Sequence, residues 1–240
     1  MKILNFGSCN IDYVYNVSEF VRAGETILAL STLEHPGGKG LNQAVAAARA
    51  GANALLGEAY IKSVTADFAR GDICMLQNEA PCTDFIIKQA KACGMTVIWN
   101  PSPMNERITD SAIGMCDYII VNKTEGRVLT GKEEPDDILK ALLKKYPHTK
   151  AVLTLGKNGS IYSDGENKVQ QAAFKADPVD TTGAGDTFTG YFAVMISKGS
   201  SIEETLKIAS AAAALATEKQ GAASSVPMLA EVIKKTEENI

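Results

Sequence analysis

"CDYIIVNKTEGRVLTGKEEPDDILKALLKKYPHTKAVLTLG", residues 116–156, sets two apolar runs around two helical stretches, and that order decides the fold. The runs at 116–122 and 150–156 are filled with Ile, Val and Leu rather than alternating with polar residues, as in strands buried on both faces. The stretches between them, 124–129 and 135–145, carry apolar residues at helical spacing. Parallel strands need such crossovers. The alternation recurs along the chain, with strand runs at 2–7, 71–77 and 95–100 and helical stretches at 39–50, 83–93, 184–198, 202–219 and 227–238. It predicts an α/β architecture with a mostly parallel sheet covered on both faces, whose ligands bind outside the carboxyl ends of the strands. Residues 13–21 and 25–35, joined by the turn-like "RAG", break the pattern and predict a small strand pair standing off the main sheet. With no internal repeat or linker, the chain reads as one domain, 1–240, with a flap at 13–35.

Composition narrows the function. Hydrophobic residues make up 45% and charged residues 22% of 240, the mix of an ordinary globular protein with a sizeable core. A net charge of −4 without basic clusters leaves no footprint for nucleic acid or acidic lipid, so a small-molecule partner is expected. The N-terminus "MKILNFGSCN" reads as a first strand rather than a signal peptide, and no run approaches the ~18 apolar residues of a membrane span. Cys9, Cys74, Cys82, Cys93 and Cys116 are odd in number and form no C-x-x-C pair, which fits reduced thiols, small buried hydrophobes of a cytoplasmic protein. Only His35 and His148 are present, which excludes a histidine-rich metal centre; His148, in a polar connector, is expected to face solvent.

Two motifs carry chemistry. In "DTTGAGDTFTGYF", 180–192, Gly183 and Gly185 strip side chains from a turn that opens an apolar helix. The first turn of that helix offers the N–H groups of Gly183, Ala184 and Gly185, an anion site by geometry and by dipole. Asp186, in the same turn, is either a helix-start acid that complements the dipole or a base beside an anion nest. Two glycines around Ala184 suit a backbone that a ligand approaches closely, and a carboxylate beside such a nest is what phosphoryl transfer to an alcohol requires. In "HPGGKGLNQAVAAARAG", 35–51, Gly37-Gly38-Lys39-Gly40 opens an alanine-rich helix with Asn42 and Gln43 in its first turn. Its spacing is not that of a P-loop, and alone it is equally a tight turn for close helix packing.

Together the two motifs resemble the signatures of the PfkB carbohydrate kinases, in their ribokinase branch. "GSCNIDYVY", "QNEAP", "NPSP", "VNKTE", "TLGKNGS" and "KQGAASSVP" extend the resemblance over almost the whole chain in the family's order. It implies a three-layer αβα ribokinase-like fold with a mostly parallel central sheet and a small β lid. It implies an ATP-dependent kinase that phosphorylates a primary hydroxyl of a small sugar, ribose first, with fructose or a nucleoside as alternatives. By the same resemblance Asp186 is the catalytic base and the amides of Gly183, Ala184 and Gly185 hold the transferred phosphoryl group. Asn10, Asp12, Gly38, Lys39, Asn42 and Glu79 match sugar-binding positions. Asn122, Thr154, Gly156, Gly159 and Ser210 fall on the nucleotide side, Ser210 where many relatives carry Asn. Glu125 matches an acid that organises Mg²⁺, through water, and is otherwise a solvated first-turn acid. Asp180, Thr182, Gly221 and Ser225 match a site for a potassium-like monovalent cation.

One departure stands out. After "AAARAGA" relatives continue through further strands and the rest of the lid, whereas here Gly51-Ala52 runs straight into "NALLGEAYI", as if roughly 60 to 70 residues were missing. Such a gap leaves the lid incomplete and a sheet edge uncovered, which makes a homodimer through the lid an expectation. It also opens the alternative of a catalytically impaired sugar- or nucleotide-binding remnant.

Overall fold

The computed structural model describes residues 2–20, 27–56, 65, 67–79, 82–105 and 108–238, with side chains left aside at 53–56. The turn expected at 22–24 and most of "NALLGEAYI" lie outside these residues. Ten strands are described: β1 (Lys2–Phe6), β2 (Asn10–Asn16), β3 (Ser31–Gly37), β4 (Asn53–Leu56), β5 (Ile73–Gln77), β6 (Thr96–Asn100), β7 (Tyr118–Asn122), β8 (Lys150–Thr154), β9 (Ser160–Ser163) and β10 (Lys168–Gln171). The helices are α1 (Lys39–Arg49), α2 (Thr83–Ala92), α3 (Asp110–Met115), α4 (Lys123–Thr130), α5 (Pro135–Lys145), α6 (Ala184–Ser197), α7 (Ile202–Thr217) and α8 (Leu229–Glu237).

Eight strands form one sheet in the order β10-β9-β8-β7-β6-β5-β1-β4, parallel from β8 to β4 with β9 and β10 antiparallel. Successive side chains of its strands enter opposite faces. Ile3, Met75, Ile98 and Ile120 point into one core, closed by Ala46 and Ala47 of α1, Tyr191 and Phe192 of α6 and Leu206 of α7. Leu4, Leu76, Trp99 and Val121 point into the other, closed by Ile86 and Ile87 of α2 and Ile138 and Leu142 of α5. Burial on both faces is why these strands read as continuous apolar runs.

On the first face α1 and α6 nearly touch. A Cβ on Gly190 would lie 2.5 Å from Ala46 Cβ and 2.8 Å from the Gln43 carbonyl, so only glycine permits this approach. One turn earlier on each helix stand Asp186 and Asn42, and the contact sets them against each other. At the N-terminal end of α1, Gly40 lies against the loop that follows β1, where a Cβ would meet Gly7 C at 2.4 Å.

The strand pair expected at 13–21 and 25–35 is present, but its strands are β2 and β3, at Asn10–Asn16 and Ser31–Gly37. They form a two-stranded antiparallel ribbon apart from the main sheet. The stand-off ribbon therefore starts at Asn10, within the site motif. Cross-strand pairing puts Asp12, Val14, Leu33 and His35 on one face and Ile11, Tyr13 and Tyr15 on the other. The last three are each more than half exposed. The thiols divide: Cys74 and Cys116 are buried, and burial pushes the Cys74 thiol up to about 12, whereas Cys9 and Cys82 are exposed rather than core residues. His148 is exposed as expected.

Candidate active site

The site lies at the carboxyl ends of β1 and β5, where α1 and α6 begin. Gly38 (φ 101°) and Gly183 (φ 77°) take left-handed backbone conformations at the two helix starts. Asp186 is partly buried between the helices, and α1 grips it with two amides. Asn42 Nδ2 donates to Oδ2 and Gln43 Nε2 to Oδ1, each at 3.0 Å. Burial pushes its carboxyl up from 3.8 to about 6; the Gln43 and Asn42 hydrogen bonds, with Lys39 nearby, oppose the rise, and Glu79 adds to it. At neutral pH it is ionised yet close enough to its pKa to take a proton, the condition of a general base.

Of the three amides expected to form the nest, that of Ala184 is turned toward Thr181 O at 3.3 Å. Those of Gly183 and Gly185 have no partner among the described residues. A Cβ on Gly185 would meet nothing within 4 Å, so space lies open before it. That space is a cavity of about 640 Å³, lined by Ala184 and Gly185 together with Thr154, Gly156, Gly159 and Ser210. Its volume suits a nucleotide. Ser210 shares a hydrogen bond of 3.3 Å with Ser160 in this wall. A second hollow of about 260 Å³ adjoins it through Thr154 and Gly156 and reaches Asn122.

On the other side of Asp186 the remaining polar residues converge. Asn10 Nδ2 donates to Asp12 Oδ1 at 2.7 Å, and Gly37 leaves room for Asp12, whose Oδ2 would lie 1.9 Å from any Cβ there. Lys39 pairs with Glu79 at 3.0 Å, and Ser8 donates to the other Glu79 oxygen. Such groups grip vicinal diols by accepting and donating together. Asn42, expected on the sugar, gives an N–H to Asp186, and its Oδ1 has no partner among the described residues.

Asn122 and Glu125 form a capping box at the start of α4: Asn122 Oδ1 accepts from Glu125 N and Glu125 Oε2 from Asn122 N, both at 2.9 Å. Glu125 is therefore a buried structural acid rather than a solvated one, with one oxygen committed to backbone. Asn122→Ala removes this cap and is expected to lower stability by about 1 kcal/mol, read as a shifted denaturant midpoint at unchanged m-value. Asp180 accepts from Thr182 N at 2.9 Å and Gly221 N at 3.0 Å, and these amides hold its carboxyl below the usual carboxylate range. Ser225, close by in sequence, gives its hydroxyl to Ala222 O.

The sequence reading did not single out Ser8, Asn5 or Gln77, nor assign Gln43 a role. Gln77 signalled itself only as the polar end of an apolar run, which is equally a strand terminator.

A carboxylate one residue beyond free helix-start amides, with a nucleotide-sized cavity beside the amides and a cluster of hydrogen-bond donors and acceptors nearby, fits a phosphotransferase that acts on alcohols. A family model described as pfkB family carbohydrate kinase matches residues 1–71 and 58–229. The chain belongs to this family. Bacillus subtilis ribokinase is 30% identical over 292 aligned positions, covering 96% of this chain and 98% of the relative. Those 292 positions exceed the 240 residues here, so part of that relative faces a gap, and the two family matches overlap at 58–71, close to the Gly51-Ala52 junction. Lactococcus lactis ribokinase is likewise 30% identical, over 99% of this chain and 97% of the relative. Among solved structures, Arabidopsis thaliana ribokinase complexed with ribose and ATP superposes with a TM-score of 0.85 at 27% identity, covering 98% of both chains.

Proposed function

We propose that this carbohydrate kinase transfers the γ-phosphoryl group of ATP to a primary hydroxyl of ribose, with Asp186 as general base. The observation that carries the reading is the Asp186 carboxylate, held between Asn42 and Gln43 one residue beyond the free amide of Gly185. Asn10, Asp12, Gly38, Lys39 and Glu79 orient the sugar so that one hydroxyl faces Asp186. The carboxylate takes the hydroxyl proton as the oxygen attacks, and the amides of Gly183 and Gly185 receive charge on the migrating group. The relatives named ribokinase, one of them complexed with ribose and ATP, support ribose and ATP as the substrates.

Asn122, which lines the smaller hollow, and Glu125, bonded to the Asn122 backbone, suit a magnesium ion held mostly through water, since such an ion needs only one or two protein carboxylates. When bound, that ion neutralises phosphate charge. Asp180, Thr182, Gly221 and Ser225 support a monovalent cation beside the nest. The ribbon serves as a lid on a single catalytic domain, its exposed Ile11, Tyr13 and Tyr15 face supports a homodimer through the lid, and the protein works in the cytoplasm.

One observation favours a second reading. Part of the relatives' length has no counterpart here, and the two-stranded ribbon is exposed over most of both strands, so a remnant that binds without turnover is the competing function. ADP release measured with ATP, Mg²⁺ and ribose, fructose or adenosine separates them. The expected result is turnover with kcat/KM for ribose at least tenfold above the others; nucleotide binding by calorimetry with no turnover on any acceptor would establish the remnant instead.

A further inference from the structure

We propose that Gln43 and Gln77 are positioning residues for the phosphoryl-transfer base: Gln77 fixes which end of the Gln43 amide meets Asp186, and that amide holds the carboxylate aimed and ionised. The proposal rests on Asp186 being the base. A side-chain amide fits its space in two orientations, and only one points N–H groups at a carboxylate. The other would set the Gln43 oxygen against Asp186. Three residues far apart in sequence remove that choice. Asn5 Nδ2 donates to the Gly40 carbonyl at 2.6 Å, which turns Asn5 Oδ1 toward Gln77. Gln77 Nε2 donates to Asn5 Oδ1 at 3.0 Å and also to Gln43 Oε1. With its oxygen so engaged, Gln43 presents Nε2 to Asp186 Oδ1 at 3.0 Å.

The donations thus run outward from Gln77 Nε2 in two branches, one through Asn5 to the Gly40 carbonyl and one through Gln43 to the Asp186 carboxylate. Asn5, Gln43 and Gln77 are fully buried, where an unpaired amide is costly. Gln77 Oε1 has no partner among the described residues, so the amide's orientation is set by the two acceptors of its Nε2. That oxygen lies where a Cβ on Gly7 would sit, 1.8 Å away, so the absence of a side chain at Gly7 makes room for the orientation. Two charged groups also act on Asp186, Lys39 from α1 and Glu79 from the loop after β5, one favouring and one opposing ionisation. The Gln43 donor adds to the first.

The test is the pH dependence of kcat at saturating sugar and ATP in Gln77→Met and Gln43→Met, which keep length and remove donors. The acid limb is expected to move up by about one pH unit, with kcat about fivefold down at pH 6, less than threefold down at pH 8.5, and KM for ATP unchanged. A uniform loss at every pH, tracking a lowered Tm, would overturn the proposal. The native protein provides a measurement independent of the variants. The ¹⁵N and ¹H signals of the Gln43 side-chain amide are expected to titrate with the midpoint of the Asp186 carboxyl ¹³C signal, and a flat amide response rejects the link. If the amide titrates but Asp186→Asn retains turnover, the assignment of the base fails while the amide chain stands; if Asp186→Asn is inactive and the acid limb stays in place, the amide chain alone fails.

Discussion

Asp186→Asn is expected to lower kcat by about 10³-fold, within the range lost when a positioned general base is removed, while ATP and sugar binding persist. Binding should survive because the cavity walls, the free amides and the Lys39–Glu79 pair are untouched by the change. Calorimetric titration with ATP and with ribose, set beside ADP release, reads both halves of the expectation; a variant that keeps more than a tenth of native kcat removes Asp186 from the chemistry. The native enzyme should lose kcat about tenfold per unit as pH falls below about 6, where the Asp186 carboxyl becomes protonated. Stability runs the other way. The folded carboxyl titrates at about 6 against 3.8 in the unfolded chain, so between those values the folded state holds a proton the unfolded state has released. Folding stability therefore falls as pH rises through that window, and above it the ionised carboxylate is a standing burden. Asp186→Asn removes the burden and should stabilise the protein at pH 7.5 by roughly 1–2 kcal/mol. This is less than the about 3 kcal/mol equivalent to two pKa units, because the new amide turns its own N–H group on one of the two donors.

Gly40→Ala is expected to destabilise the protein by about 3 kcal/mol or more. A Cβ there would lie 2.4 Å from Gly7 C, 2.6 Å from Gly7 Cα and 2.7 Å from Ser8 N, all backbone atoms that no rotamer change can move aside. Relief requires α1 to draw back from β1, and with it go Asn42, Gln43 and the Gly40 carbonyl that anchors Asn5. Stability and kcat should therefore fall together, read as a lower denaturant midpoint and a lower rate in whatever protein remains folded. A loss under 1 kcal/mol would mean that the approach of helix to strand is not as tight as these distances imply.

Local physics wrote most of the fold into the sequence. β5, β6, β7 and β8 are legible because burial on both faces demands uninterrupted apolar runs, and α5 because proline can open a helix it cannot continue. α3 escaped notice because six residues are too few to show a helical period, and β9 and β10 because four-residue strands at the sheet's antiparallel end show no run. The ribbon was misplaced by a few residues for a related reason: with both faces largely open, neither alternation nor an apolar run marks where pairing begins. In the site, the glycines flanking Ala184 pointed to an open helix start, since backbone approach leaves a compositional trace, and the amides of Gly183 and Gly185 have no partner among the described residues. The amide chain left none. Asn5, Gln43 and Gln77 reach one another across separations that no local pattern encodes, and each alone is an ordinary polar residue at the end of an element. Glu125 marks a different limit, since its motif shows a ligand candidate or a first-turn acid but not that the helix start uses one of its oxygens.

Gln43 and Asp186 meet across 143 residues, with α1 emerging early in synthesis and α6 late. While the ribosome still holds the last third of the polypeptide, β1, β5 and α1 can assemble, yet they enclose amides with no acid to grip. With Asp186 as the proposed base, catalytic competence is expected to arrive in one late step, when α6 docks against Ala46, and a prematurely terminated product is expected to be inert rather than a slow or promiscuous phosphorylating agent.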